Sequence, residues 1–552
     1  MHIDSATTKR NGKTYTRHLL RTSYREGGKV KKRTIANLSH CSDAEINAIR
    51  LALQHKDDLA SLGSPKGAIE LQQGRSIGAV ATIYQVAKRL GIVAALGSSQ
   101  EGKLALWQVM ARVVDQGSRL SAVRLAMHHA ALEVIGLKQG FHEDHLYQNL
   151  TWLLDHQAAI EDRLFGQMTP KDKGAKPLFL YDVTSSYLEG VCNELGAFGY
   201  NRDNKRGKQQ IVIGLLCDAL GEPVSIQAFA GNTPDSATLP AQLDKVANRF
   251  GGGPVTWVGD RGMIKGPGIE AIDAQDGFYI TALTKPQIEH LLKSGHLQMS
   301  LFDQELAEVA LKEGPRLILR RNPQRAKEIR AKRADKAGVV RRELDQQNRY
   351  LLEHPRAKVE TAHLKLEAKI TTLKLPWMQV VAEGRTLVLQ TDQEALKAAQ
   401  KLDGCYALKT NLAKDQASKD VIHDRYKDLA LVEQAFRVSK TGHLEVRPIY
   451  VRSEASTQGH VFVVMLAFKI IRELGRCWRR FNLTVEEGIH QLTTLCAQTV
   501  TMKGTDIAVN TVPKPSAELA QLIAAAGVTM PRTLAERTAK VVTRKSLAKA
   551  KI

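Results

Sequence analysis

The sequence predicts an α/β protein built on one mixed sheet that is interrupted by an α+β insertion. A basic β-hairpin and a helical region precede the sheet, and a helical C-terminal tail follows it. Three observations predict this. The hydrophobic period changes from helical to alternating near residue 176; five short segments rich in Val, Ile and Leu then follow, with turn residues between them; and a strongly basic helical run separates the fifth from a further strand. At 552 residues the chain exceeds one ordinary core, so several domains are expected.

Residues 1–60 open with TYTRHLLRTSYREGGKVKKRTIANL, two alternating segments around Gly27-Gly28, which is a hairpin signal. Ten Lys and Arg fall in the first 35 residues against Asp4 and Glu26, and Lys31, Lys32 and Arg33 are their densest run. A solvated basic arm and a DNA-contacting arm are both open readings. Residues 61–170 turn helical (ATIYQVAKRLGIVAAL, LALWQVMARVVDQ, SRLSAVRLAMHHAALEVIGL, LYQNLTWLLDHQAAIEDRLF), with apolar positions recurring at three and four. His142 and His145 could suggest a metal site, but Asp144 just ahead of LYQNL suits a helix N-cap better.

In residues 171–290, KPLFLYDVTS, KQQIVIGLLCD, PVSIQAFAG, PVTWVGDRG and GFYITALT read as strands. Helices are expected at SATLPAQLDKVANRF and GIEAIDAQ. Three strands followed by helix–strand–helix–strand is the element order of a ribonuclease-H-like sheet. Residues 291–405 read as an insertion: the basic helical run LRRNPQRAKEIRAKRADKAGVVRREL, then KLEAKITTLKLPWMQVVAEGRTLVLQTD, which alternates like strands. Residues 406–475 resume the core with a strand at DGCYALKTN and helices at RYKDLALVEQAFRVSK and GHVFVVMLAFKIIREL. Residues 476–552 are read as helical pieces with a basic tail.

Composition narrows the function. Lys plus Arg number 79 against 57 Asp plus Glu, a net charge of +22, which favours a polyanionic partner. Aromatic residues at 5% disfavour a single-strand binder built on stacking platforms. The longest apolar run, Val461 to Ile471, carries Lys469 and falls short of the roughly 20 residues that span a bilayer. The N-terminus is polar, so a cytoplasmic protein is expected. Six scattered cysteines without a CxxC pair read as reduced thiols.

Three acids stand out by setting. Asp182 ends the apolar strand FLYD, Asp260 follows VTWVG, and Glu433 lies among apolar residues of a helix (DLALVEQAF). The carboxyl edge of an open sheet is where sites form. Clustered carboxylates raise one another's pKa unless a counter-charge is present, and Mg²⁺ or Mn²⁺ supplies it through oxygen ligands. Taken singly, each acid also has an ordinary reading as a turn cap or a surface charge.

The stretches YDVTSSYLEG, GYNRDNKRGKQQIVIGLLCDALGEPVSIQAFAGNTPDSATL, WVGDRGMIK and DRYKDLALVEQAFRVSKTGHLEVRPIYV resemble the insertion-sequence DDE transposases. The branch resembled carries a β-rich insertion and a Tyr-Arg-Glu-Lys signature, and the likeness covers roughly 175–300 and 400–475. It implies a ribonuclease-H-like catalytic domain in which Asp182, Asp260 and Glu433 hold two Mg²⁺ or Mn²⁺ ions. It further implies that Tyr426 and Lys440 are the signature Tyr and Lys, with Lys440 holding a phosphate. At the signature Arg position stands Leu429, so Arg437 or Arg447 replaces that contact or it is absent. Asn232, Asp235, Arg261 and Gly262 match family positions, although Asn232 to Asp235 also reads as a plain turn. Arg261, Lys265, Arg437 and Arg447 are candidate DNA contacts.

The implied activity is cleavage at transposon ends and 3′-OH strand transfer into target DNA. The implied partners are double-stranded DNA bearing terminal inverted repeats and a second copy of the chain. Alternatives are a nuclease or recombinase of the same fold that does not join DNA, and a DNA-binding protein with a vestigial triad.

Overall fold

The computed structural model describes residues 1–10, 13–56, 69–168, 177–250, 254–311, 314–440, 444–502, 508–537 and 539–544. Two compact units are present, one of residues 1–82, 126–138 and 487–539, the other of 83–125, 139–486 and 540–552.

In the first unit, β1 (His2–Arg10), β2 (Lys13–Glu26) and β3 (Lys29–Asn37) form an antiparallel sheet. The expected hairpin is β2–β3. Gly27 and Gly28 both take positive φ, 59° and 77°, the turn whose twist matches the strands it joins. The additional strand β1 is polar along its length and carries no hydrophobic alternation. β4 (Ile69–Ser76) pairs with strand Cys496–Met502, which pairs in turn with Ala508–Thr511. These strands correct two expectations, an all-helical 61–170 and a helical tail over 476–552. The ladder sets Gln73 opposite Gln498, so the partner of each segment lies at the far end of the chain, where no local pattern records it.

The second unit holds the main sheet. Its strands in chain order are β5 (Leu178–Tyr187), β6 (Gln210–Asp218), β7 (Pro223–Ala230), β8 (Thr256–Val258), β9 (Phe278–Ala282), β10 (Ala307–Ala310) and β11 (Arg316–Arg321). The hairpin β12 (Met378–Glu383) and β13 (Thr386–Thr391) stands apart, and β14 (Cys405–Thr410) completes the sheet. The spatial order is β10-β11-β14-β9-β8-β5-β6-β7. β5, β6 and β7 are successive antiparallel neighbours, whereas β8 runs parallel to β5 and β9 parallel to β8. Helices Asp235–Arg249 and Gly266–Asp273 make the two parallel crossovers. All five expected strands are present, and eight of the nine β6 residues are buried, as a strand covered on both faces requires.

The segment 291–405 holds the expected basic helix and the strand pair of PWMQVVAEGRTLVLQTD, and differs from expectation elsewhere. Strands β10 and β11 extend the main sheet, and helix Pro323–Glu353 runs for 31 residues behind an Asn322 cap. KLEAKITTL, read as strand, belongs to helix Val359–Leu373, because Ala362, Leu366 and Ile370 recur every four residues and form its buried stripe. RYKDLALVEQAFRVSK, read as one helix, is two: Lys419–Lys427, capped by Ser418, and Leu429–Lys440.

Two packing facts position the site. Phe179, Tyr181 and Val183 share a core with Leu239, Leu243, Val246 and Phe250 of helix Asp235–Arg249. Strand alternation then turns Asp182 to the opposite face, against which helix Leu429–Lys440 packs. At the far edge, helix Glu454–Cys477 crosses β7. There the Gln458 side chain accepts from Ala228 N at 2.9 Å and donates to Ala228 O at 2.7 Å, closing that edge.

Candidate active site

Asp182 and Asp260 come together through register. Leu180 of β5 is paired with Val258 of β8, and two residues beyond each lie Asp182 and Asp260. Both chains run parallel here, so both carboxylates emerge at the same carboxyl edge. Asp260 is exposed just past its strand and accepts a hydrogen bond from Gly262 N. A Cβ on Gly262 would lie 2.9 Å from Asp260 Oδ1, so a side chain there would push the Asp260 carboxylate aside. Asp182 is half-buried and accepts from Val183 N at 2.8 Å.

The electrostatics tie in Glu433, an exposed residue of helix Leu429–Lys440. Burial pushes the Asp182 carboxyl up to about 7, and the charges of Asp260 and Glu433 push in the same direction; the Val183 amide and Arg202 oppose them. Tyr426 is likewise pushed up to about 12, by burial first and then by Asp260, with Arg261 opposing and Asp182 and Glu433 adding to the rise. The structure thus gathers Asp182, Asp260, Glu433, Tyr426 and Arg261 into one electrostatic neighbourhood. Oxygen donors massed here, with only the Arg202 and Arg261 cations opposing them, match the chemistry of a hard divalent cation. Among the described residues no three acidic, His or Cys side chains stand close enough to enclose one ion as they are. The residues fit a metal in donor type and field.

The remaining residues divide. Lys440 is half-buried and its Nζ donates to Asp203 Oδ1 at 2.8 Å. Leu429, in the signature's Arg position, is buried at the start of its helix. Arg437 is exposed on the same helix, and Lys265 is exposed beside helix Gly266–Asp273. Arg447 pairs with Glu445 and lies over the Tyr187 ring, 4.7 Å from its centroid, at the end of β5. Lys31, Lys32 and Arg33 are exposed on β3 of the other unit, where Lys31 pairs with Glu26 at 2.8 Å. Histidines 142 and 145 form a capping box on helix Glu143–Gln167, so His142, and not Asp144, is the N-cap. All six cysteines are free.

Arg202 was not singled out from the sequence. It lies near enough to Asp182 to favour its charged form, and it pairs with Asp235 at 2.5 Å. Its sign in the sequence is the basic loop GYNRDNKRG, which joins β5 to β6. The chain turns over residues 230–233, where Thr233 N donates to Ala230 O, and Asp235 already belongs to helix Asp235–Arg249, behind the cap Pro234.

Residues 173–468, more than half of the chain, match the transposase DDE domain, and residues 3–64 match the N-terminal domain of the IS1634 family transposases. No curated protein matches. Among solved structures, the chain is similar to a piggyBac transposase synaptic complex with hairpin DNA. The identity is 9%, the TM-score 0.34, and the coverage 76% of this chain and 82% of that one. Among the described residues no helix is long and apolar enough to cross a membrane. On the match of its central 296 residues, the chain belongs to the DDE transposases, enzymes that act on DNA.

Proposed function

We propose that Asp182, Asp260 and Glu433 are the metal-binding acids of this transposase, and that they hold two Mg²⁺ or Mn²⁺ ions. The observation that carries the proposal is the in-register pair Asp182 and Asp260 on adjacent parallel strands, with the Glu433 helix packed over β5. The order β7-β6-β5-β8-β9 within the main sheet supports a ribonuclease-H-like reading of residues 171–290 and 406–475, with 291–405 as an insertion. Bound divalent ions lower the pKa of an attacking oxygen and take up charge on a leaving one.

In the first step a water oxygen attacks the phosphorus at the transposon end. The P–O3′ bond breaks, leaving a 3′-OH and a 5′-phosphate. In the second, that 3′-OH loses its proton and attacks a target phosphorus, the target strand's P–O3′ bond breaks, and the released target 3′ oxygen takes up a proton. Lys440 would steady a phosphate as a compact cation, and Tyr426 would border the acids. The residue serving in place of the signature Arg would be Arg437 or Arg447. Residues 1–60 and 61–170 would recognise terminal inverted repeats, and two copies would synapse two ends.

A pre-cleaved, labelled transposon end tests this directly when incubated with target DNA and Mg²⁺. Joined products are expected from the native chain and none from Asp260→Asn. Hydrolysis without joining would indicate a nuclease, and full activity of Asp260→Asn would overturn the site.

A further inference from the structure

Away from the acids, two arginines of the second unit are buried without a hydrogen-bonded carboxylate among the described residues. Arg112, on helix Gln100–Val114, is 5% exposed; Arg119, opening helix Arg119–His128, is 4% exposed. Arg112 Nη1 donates to the carbonyls of Gln116 and Leu444. Arg119 Nη2 meets His460 Nδ1 at 3.1 Å. The Nε of each is buried with no hydrogen-bond partner.

The nearby acids are committed elsewhere. Asp115 Oδ2 accepts from Ser121 Oγ at 2.9 Å, and Glu445 is paired with Arg447. His460 is fully buried and held well below the usual histidine range, first by burial and then by the two arginines, so it is neutral. Its Nε2 lies 3.1 Å from Val446 O, which makes that nitrogen the donor and leaves Nδ1 to accept from Arg119. Burial pulls Arg112 down to about 10 and Arg119 to about 9, both still charged at neutral pH. Keeping two such charges dry is costly; Asp115 and Glu445 offset part of that cost for Arg112, while Arg112 itself repels Arg119.

Between them is a small cavity of about 30 Å³, walled also by Tyr147, Gly117 and Arg447. It has room for about two water-sized oxygens. A Cβ on Gly117 would lie 2.4 Å from the Ser121 side chain, so this wall is closely built. Arg447 links the cavity to Tyr187, five residues beyond Asp182, about 17 Å along β5.

We propose that Arg112 and Arg119 form a buried clamp that receives the non-bridging oxygens of one DNA backbone phosphate outside the cutting site. That the anion comes from DNA rests on the transposase reading; that the pocket takes a phosphate rests on its own residues.

The test replaces each arginine by methionine, which is similar in length and uncharged. Binding of a labelled duplex is measured as a function of NaCl, and melting of the DNA-free chain is measured with and without inorganic phosphate. One lost phosphate contact lowers the slope of log K against log salt by about 0.9. Arg112→Met, Arg119→Met and the double variant should therefore show the same decrease, with affinity roughly tenfold weaker. DNA-free variants should melt no lower than the native chain, and phosphate should raise the melting temperature of the native chain alone. Variants that melt lower while the salt slope is unchanged would make the arginines structural and overturn the clamp. If phosphate stabilises the native chain and not the variants but the salt slope does not change, the pocket takes free phosphate and the DNA assignment fails. A native chain that binds DNA yet joins no ends counts against the proposed function and leaves the clamp measurements standing.

Discussion

Lys440 Nζ donates to Asp203 Oδ1 at 2.8 Å, while Asp203 Oδ2 accepts from Tyr187 N at 3.2 Å. The lysine two turns beyond Glu433 is therefore held by a carboxylate in the β5–β6 loop. A phosphate would have to displace that carboxylate. Asp203→Asn keeps a side chain able to meet the Tyr187 amide and removes the competing charge. It should bind cut DNA ends several-fold more tightly, whereas Lys440→Ala should bind them more weakly with metal binding retained. Fluorescence anisotropy with pre-cut duplex measures both. Loss of metal occupancy in Lys440→Ala would contradict its role.

Asp182 makes stability depend on pH in a direction fixed by its raised pKa. Its carboxyl titrates near 7 when folded, against an ordinary value of 3.8. The unfolded chain thus ionises first, and metal-free stability falls as pH rises from about 4 to about 7, then levels. The loss amounts to at most a few kcal/mol. Asp182→Asn lacks this penalty, so in chelator it should be more stable than the native chain by a margin larger at pH 8 than at pH 5. Urea unfolding at the two pH values checks it; an equal margin at both would mean that the carboxyl is not strained.

Excess Mg²⁺ or Mn²⁺ should raise the melting temperature of the native chain by relieving the same repulsion. Asp260→Asn and Glu433→Gln should each lose most of that rise and at least about a hundredfold of cleavage activity, since a bound metal contributes several kcal/mol to the reaction. Thermal melts and end-cleavage assays on the same preparations make the comparison.

Gly262→Ala probes the support of Asp260. The added methyl would stand 2.9 Å from Asp260 Oδ1. Because both residues are in an open turn, global stability should change by less than about 1 kcal/mol, while cleavage falls at least tenfold through displacement of the carboxylate. Equal losses of stability and activity would assign Gly262 to folding alone.

Gln458→Leu should destabilise the chain by about 2 kcal/mol, because it strands the amide and carbonyl of Ala228 in a buried setting. Glu at this position can accept from Ala228 N but, when ionised, has nothing to donate to Ala228 O. It should be at least as damaging as Leu. Denaturant unfolding ranks the three chains.

Strands β5 to β9 and β14 of the main sheet were legible because each is short, apolar and bounded by turn residues, whereas β10 and β11 were not read; QIVIGLLCD reads as a buried strand wherever it is placed. Glu433 was conspicuous as an acid between Val432 and Ala435, both buried. The break at Asp428 was not legible, because RYKDLALVEQAF keeps a helical period across it. Nor was the burial of Arg112 and Arg119, since nothing in LALWQVMARVVDQ or SRLSAVRLAMHHAALEVIGL marks either arginine as turning inward.

By itself the sequence determined the order of strands and helices over residues 178–282, the basic character and which acids stand out, since these rest on residue type and local spacing. Tertiary structure decided what those spacings leave open. Register of β5 on β8 sets Asp182 beside Asp260, strand alternation turns Asp182 toward the Glu433 helix, and β4 finds its partner among residues 496–502. Pairing across long sequence separations is settled by backbone hydrogen bonds and burial that exist only once the chain has closed on itself, so local pattern cannot encode it.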